Sequence, residues 1–161
     1  MASEASTEIE AFLADWLGKD SALTALHGGH VHPIVIPEGV DLDARPELVY
    51  IAFRRTSTQR PMTLREPTGN AKATFDIAIV GRSDMRGYLA ICRAARLVRL
   101  KLDGLTTETP QGHYIERAAV VNESDGTEEV LTEDGNALYL VRTLTVEIDH
   151  DEESHSAIGG A

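Results

Sequence analysis

A single cysteine, Cys92, stands among 161 residues. It excludes an intramolecular disulfide framework and any zinc site built on thiolates. Basic residues are also short: 15 Lys and Arg face 26 Asp and Glu, for a net charge of −11. Sequence-independent nucleic-acid binding comes from Lys and Arg neutralising phosphates, so a free-standing nucleic-acid binder is not expected. The same charge disfavours an anionic membrane surface. No apolar run approaches the roughly 20 residues that a membrane span needs. The N-terminus is polar and acidic with no basic n-region, so no signal peptide is expected. No internal repeat is visible. What is present is ordinary for a globular chain: 42% apolar and 25% charged residues. At this length folding hides roughly two-thirds of the surface of the unfolded chain, enough for a core without staples. One soluble, acidic domain of a reducing compartment is the expectation.

Periodicity outlines the elements. Ile9, Phe12, Leu13, Trp16 and Leu17 form one apolar stripe, a first helix with Ser3 or Ser6 as its cap and Gly18 as its stop. Lys19-Asp20-Ser21 caps a short second helix, Ala22 to Leu26, ended by Gly28-Gly29. The run from His30 to Pro37 carries prolines at 33 and 37, which confine it to an extended edge segment. A strand is predicted over Glu47 to Ser57 and another over 72–81, where Phe75, Ile77 and Ile79 share a face. Between them, residues 58–70 read as a long projecting loop. A main helix spans Ser83 to Leu102 with Ser83 as cap. Its apolar stripe is read as Met85, Tyr88, Leu89, Cys92 and Ala95, with Cys92 a small buried hydrophobe. Two further strands, about 113–122 and 137–149, flank an acidic segment read as a loop with turns at Asp125-Gly126 and Asp134-Gly135. In the last strand Arg142 interrupts an otherwise apolar parity. The fold class is therefore α+β: an antiparallel sheet of four to five strands with two main helices packed on one face. Residues 1–149 form the domain. Residues 150–161 form a polar tail whose removal is expected to leave folding intact.

Catalytic and ligand motifs are sparse. There is no G-x-S-x-G elbow and no phosphate-binding Gly-rich loop. Gly28-Gly29 follows a helix instead of preceding one. Asp41-x-Asp43 lacks the other ligands of a calcium loop. Carboxylate pairs such as Glu128-Glu129 read as solvated. His27, His30 and His32 lie within six residues, and neutral imidazoles suit zinc or nickel. They read either as a solvated loop or as the metal site of a small enzyme. His113, His150 and His155 are isolated. No catalytic residue, cofactor or metal is expected.

The main helix is the informative segment. From Arg82 to Asp103 it holds six basic residues and two acidic ones inside an acidic chain. Arg82, Arg86 and Arg93 are spaced as one stripe. Three readings stay open: a solvated face, pairing with the acidic surface of another copy, or a nucleic-acid contact. Arg99 and Lys101 also suit the helix C-terminus.

Three stretches carry a resemblance. The first is "DSALTALHGGHVHPIVIP", the second "ATFDIAIVGRSDMRGYLAICRAARLVRLKLDGL" and the third "LYLVRTLTVEID". In order and spacing the chain resembles the tail terminator (tail-completion) proteins of long-tailed bacteriophages and gene transfer agents over about residues 8–149. Where that pattern has an arginine after the Gly-Gly break, this chain has His30. The acidic segment 122–136 and the tail are not part of the pattern. The resemblance implies a structural virion protein without enzymatic activity, assembled in the host bacterial cytoplasm. It implies a homohexameric ring at the head-proximal end of the tail that ends tube polymerisation and joins the tail to the head. The implied partners are the chain itself, the major tail tube protein and a head connector or stopper protein. DNA is implied only as transiting cargo, and no membrane is involved. A neighbouring head–tail connector or neck protein is the alternative. Arg82, Arg86 and Arg93 become candidates for the subunit interface, and Arg60, Pro61 and Arg65 for contact with the tube or connector. Six copies would surround transiting DNA with repelling charge.

Overall fold

The computed structural model describes residues 2–33, 42, 45, 47–60, 70–108, 114–132 and 135–151. Pro37, Asp41, Asp43, Pro61, Arg65, His113, His155 and the segment 152–161 lie outside them. The elements are α1 (Ala2–Lys19), α2 (Ser21–His27), β1 (Val31–Pro33), β2 (Val49–Gln59), β3 (Asn70–Arg82), α3 (Met85–Leu102), β4 (Thr107–Glu108), β5 (Tyr114–Thr132) and β6 (Gly135–Asp151). The strands form one six-stranded sheet in the order β1-β2-β3-β6-β5-β4. No helix among the described residues is long and apolar enough to cross a membrane.

The α+β class stands, with two differences. β1 falls in the edge segment read at His30 to Pro37, and the strand beyond the expected four to five is the short edge β4. The sheet is also not wholly antiparallel, because β1 runs parallel to β2, with Val31 opposite Ile51 and Pro33 opposite Phe53. Residues 34–48 give the chain the dozen or more residues that a parallel return requires. Pro33 sits on the outermost strand, where no neighbour needs its missing N–H.

Strand alternation builds the core. Along β3, Ala71, Ala73, Phe75, Ile77 and Ile79 are buried on the side that meets Ile51 and Phe53 of β2 and Leu144, Val146 and Ile148 of β6. Against that face α1 sets Ile9, Phe12, Leu13 and Leu17, the i, i+3, i+4, i+8 positions of an amphipathic helix. Ser3 and Ser6 lie within α1, not at its cap. Trp16 stacks on Phe12 and donates from Nε1 to the carbonyl of Lys101 at 3.0 Å, while the Lys101 ammonium lies 4.2 Å from its ring centroid. Arg55 of β2 donates to Glu10 Oε1 at 3.0 Å and closes the other side of α1. On the opposite face the sheet is largely polar, apart from a cluster of Leu42, Leu48, Tyr50, Val80 and Tyr139 at one end.

The face that α3 buries differs from the sequence reading. Its packed side is made of Gly87, Ala90, Ile91, Ala94, Ala95, Val98 and Leu102. Met85, Tyr88 and Leu89 are exposed and Cys92 is half-buried. Small residues let the helix lie close to the strands, and a count of large apolar side chains points to the wrong side. A side chain at Gly87 would overlap the backbone of Arg82, and one at Gly81 would press on Ile91 and on the Gly87 carbonyl. The cap is Asp84, whose Oδ1 accepts from the Gly87 N–H at 2.8 Å, and not Ser83.

The acidic segment 122–136 is not a loop. β5 continues to Thr132, which pairs with Gly135 of β6, so the two strands form one long antiparallel pair. Asp125-Gly126 is in the ladder, opposite Arg142 and Val141. β3 reaches only as far as the Arg82–Tyr139 pair. Glu129–Thr132 and Gly135–Leu138 therefore extend past it, paired only with each other, an overhang of roughly 14 Å at 3.4 Å per residue.

β6 also runs further than expected at its other end. His150 and Asp151 are buried in the strand, and Asp151 Oδ1 accepts the Tyr114 N–H at 2.8 Å. Removal of 150–161 takes these residues out of the sheet. A lower melting temperature is expected on truncation at Asp149, since two buried residues leave the sheet and the Tyr114 N–H loses its acceptor, a typical hydrogen bond being worth about 0.5–1.5 kcal/mol. Gly87→Ala is expected to cost about 1–3 kcal/mol or more through backbone overlap, read by denaturant unfolding, with Ala90→Gly as a control that loosens the same helix without overlap.

Candidate assembly interface

Helical geometry sorts the exposed side chains of α3 into two flanks. At about 100° per residue, Met85, Arg86, Leu89, Arg93, Arg96 and Leu100 fall within an arc of about 100°. All six are exposed, Met85 and Leu100 at 70% and Leu89 at 47%. Arg86, Arg93 and Arg96 form no ion pair among the described residues. Exposed apolar area interleaved with unpaired guanidinium groups is a composition that protein interfaces favour. Beside this face lies a shallow cleft of about 390 Å³, walled by Arg86, Leu89, Ala90 and Arg93 on one side and by Leu26 and Glu47 on the other. Guanidinium forks there could grip carboxylates in bidentate fashion.

The opposite flank, Tyr88, Cys92 and Arg99, meets the long hairpin. Arg142 of β6 sits on the core-facing parity and runs under this flank. It forks onto Asp125 through Nε at 2.7 Å and Nη2 at 3.2 Å. Its Nη1 lies 3.7 Å from Cys92 Sγ, and its guanidinium carbon lies 5.9 Å from the Tyr88 ring centroid. Arg99 Nη1 reaches Glu123 Oε1 at 2.6 Å. The hydrogen bond from Arg142 holds the Asp125 carboxyl below its ordinary range, and Asp125 in turn raises the Arg142 guanidinium. The one polar interruption in the last strand thus fastens the root of the hairpin to α3.

The other residues singled out in the sequence fall as follows. Arg82 is not on the helix: it ends β3 and pairs with Asp84 at 2.8 Å, so it does not share a stripe with Arg86 and Arg93. Arg60 is exposed immediately past β2, and Pro61 and Arg65 are outside the described residues. Arg96 and the three apolar residues were missed. Spacing from Arg86 could have found them, had the small-residue face been recognised as the buried one.

The three histidines do not converge. His27 is fully buried: its Nδ1 accepts the Gly29 N–H at 2.9 Å and its Nε2 lies 3.2 Å from the Leu17 carbonyl. Nε2 thereby ties α2 to α1, and Nδ1 closes the turn that ends α2. His30 packs edge-on against Tyr50, with ring centroids 5.1 Å apart, and its ring is 5.7 Å from that of His32. No group of three His, Cys, Asp or Glu side chains placed to hold a metal occurs among the described residues.

Burial lowers the pKa of His27 below 6.5, and the nearby His30 lowers it further. Folded protein then refuses a proton that the unfolded chain accepts. The contribution of neutral His27 is complete above the unfolded value and is lost as pH falls through the lowered folded one. Melts between pH 7.5 and 5 are expected to show falling stability. His27→Gln should start about 1–3 kcal/mol lower at pH 7.5 and lose less on acidification.

Comparison with known proteins is sparse in sequence and informative in shape. No family model matches the chain, and no curated protein matches it. A solved chain described as "Virion of native gene transfer agent (GTA) particle" superposes with a TM-score of 0.62 at 16% identity, covering 91% of this chain and 97% of that one. A second solved chain, at 19% identity, reaches a TM-score of 0.45. The likeness to the gene transfer agent chain is one of fold, extending over nearly the whole of both molecules.

Proposed function

We propose that this chain is a structural virion protein of a phage-type particle, and that six copies close into a ring capping the head-proximal end of the tail tube. The observation that carries the reading is the end-to-end match in fold with a chain of a gene transfer agent virion. The exposed face of α3, apolar and basic without internal partners, supports it by offering a surface suited to a second copy. A tube that grows by repeated head-to-tail contacts has no intrinsic length limit. A cap ends it by matching the tube on one face and failing to reproduce that face on the other. The head connector or stopper would meet the free face. In this reading Arg86 and Arg93 are interface residues, Arg82 is an intrachain positioning residue for the start of α3, and Arg60, Pro61 and Arg65 belong to a segment facing tube or connector. The role is geometric, with no bond-making centre and no cofactor.

Negative-stain images of the protein incubated with tail tubes test it. Rings at one end of the tubes and a shorter length distribution are expected. Binding to the connector instead of the tube end would assign it to the neck, and absence from both would overturn the virion reading. Arg86→Glu with Arg93→Glu is expected to cut ring closure by roughly tenfold or more, as loss of desolvated charge pairs does, with an unchanged far-ultraviolet circular dichroism spectrum. Undiminished rings would mean that the two arginines are merely solvated.

A further inference from the structure

The charges of this molecule are separated along the sheet. α3 carries Arg86, Arg93, Arg96, Arg99 and Lys101 and no acidic residue. Residues 122–136, the outer part of the β5–β6 hairpin, carry Glu123, Asp125, Glu128, Glu129, Glu133 and Asp134 and no basic residue. Two of these acids are spent within the subunit, Glu123 on Arg99 and Asp125 on Arg142. Both lie at the hairpin root. Further out, Glu128 and Glu129 are exposed and pair with no cation among the described residues. The next residues in sequence, Val130 and Leu131, are apolar.

We infer that the overhanging β5–β6 hairpin is an arm that docks on the exposed Met85-Arg86-Leu89-Arg93 face of α3 in a second copy of this chain. The inference rests on the ring reading and specifies the contact that closes the ring. Three observations select a second copy as the occupant. The charges match, with unpaired carboxylates on the arm and unpaired guanidinium groups on the face. The face also offers exposed apolar area at Met85, Leu89 and Leu100, of the kind that a subunit contact buries. Finally, a subunit cannot satisfy itself. Its own hairpin is held on the Tyr88-Cys92-Arg99 flank of α3. Arg86 and Arg93 line the cleft on the other flank, toward Leu26 and Glu47.

The placement also fixes the type of contact. In the order β1-β2-β3-β6-β5-β4 the arm emerges on the β5 side, and the cleft opens toward α2 and the start of β2. Donor and acceptor surfaces are different patches at opposite sides of one subunit. Such a contact is heterologous: repeated about an axis it gives a ring where the rotation closes and an open filament where it does not, and the ring reading takes the first case.

The test is a charge exchange read by ring formation on tail tubes in negative stain. One variant carries Glu128→Lys and Glu129→Lys, and the other carries Arg86→Glu and Arg93→Glu. Alone, each repels itself at every contact and is expected to form roughly tenfold fewer rings than wild type, or fewer. Mixed in equal amounts, the Lys arm of one meets the Glu face of the other, and the Glu arm meets the Arg face. An alternating ring should then assemble at close to the wild-type yield. Unchanged melting curves for each variant exclude misfolding as the cause of loss. Rings from either variant alone overturn the arm contact and leave the ring reading standing. Loss in both variants without recovery in the mixture also overturns it. Absence of rings from wild type overturns the ring reading, and the arm contact with it.

Discussion

α3 lies on the sheet at a separation that a side chain at Gly87 would not allow. That one contact sets what the rest of the domain can be. The helix approaches through Gly87, Ala90, Ala94 and Ala95 together with Ile91, Val98 and Leu102, while Met85, Tyr88, Leu89 and Leu100 stand on the flanks and the outside. On one flank they meet Arg142 and the hairpin. On the outside, large apolar side chains between guanidinium groups remain exposed, Leu89 among them at the rim of the cleft toward Leu26 and Glu47. The surface with the composition of an interface thus lies away from the packed side of the same helix. Asp84 fixes where the helix starts, and Gly81 lets β3 pass beneath it.

Arg142 shows the same economy. An arginine on the core-facing parity of a central strand would be costly if left unpaired. Here its stem passes under α3 and its head emerges at the hairpin, forked on Asp125 beside Cys92. The charge is desolvated only in part and is matched by a bidentate partner. It links α3, β5 and β6. Glu123 extends the link to Arg99.

Much of the architecture was legible where one periodicity acts alone. The α1 stripe, the alternation of β3 and the capping of α2 by Asp20 and Gly28 are all read from local pattern, and the molecule realises them. Legibility fails where tertiary packing overrides composition. Small residues, not Met85, Tyr88 and Leu89, mark the buried side of α3. Asp125-Gly126 has the chemistry of a turn, yet Arg142 across the ladder holds it in a strand. The parallel pairing of β1 depends on a return path that no residue pattern encodes. Arg82 joined the wrong set because the helix begins three residues later than a stripe counted from it assumes. The histidine cluster dissolved because His27 spends both ring nitrogens on backbone groups, a role that spacing alone cannot distinguish from ligation.

The separation of charge along the sheet has a consequence before any two molecules touch. A free subunit is electrically lopsided, negative toward the hairpin and positive on α3, and so carries a dipole across its width. Two subunits drifting together at low salt turn so that unlike sides lead, and approach with matching sides is repelled. Within about 10 Å at 0.1 M salt this torque acts, and it favours rows of consistently oriented molecules over mirror-image pairs. If copies associate through these two patches, the placement of charge favours a consistent head-to-tail sense from the first encounter.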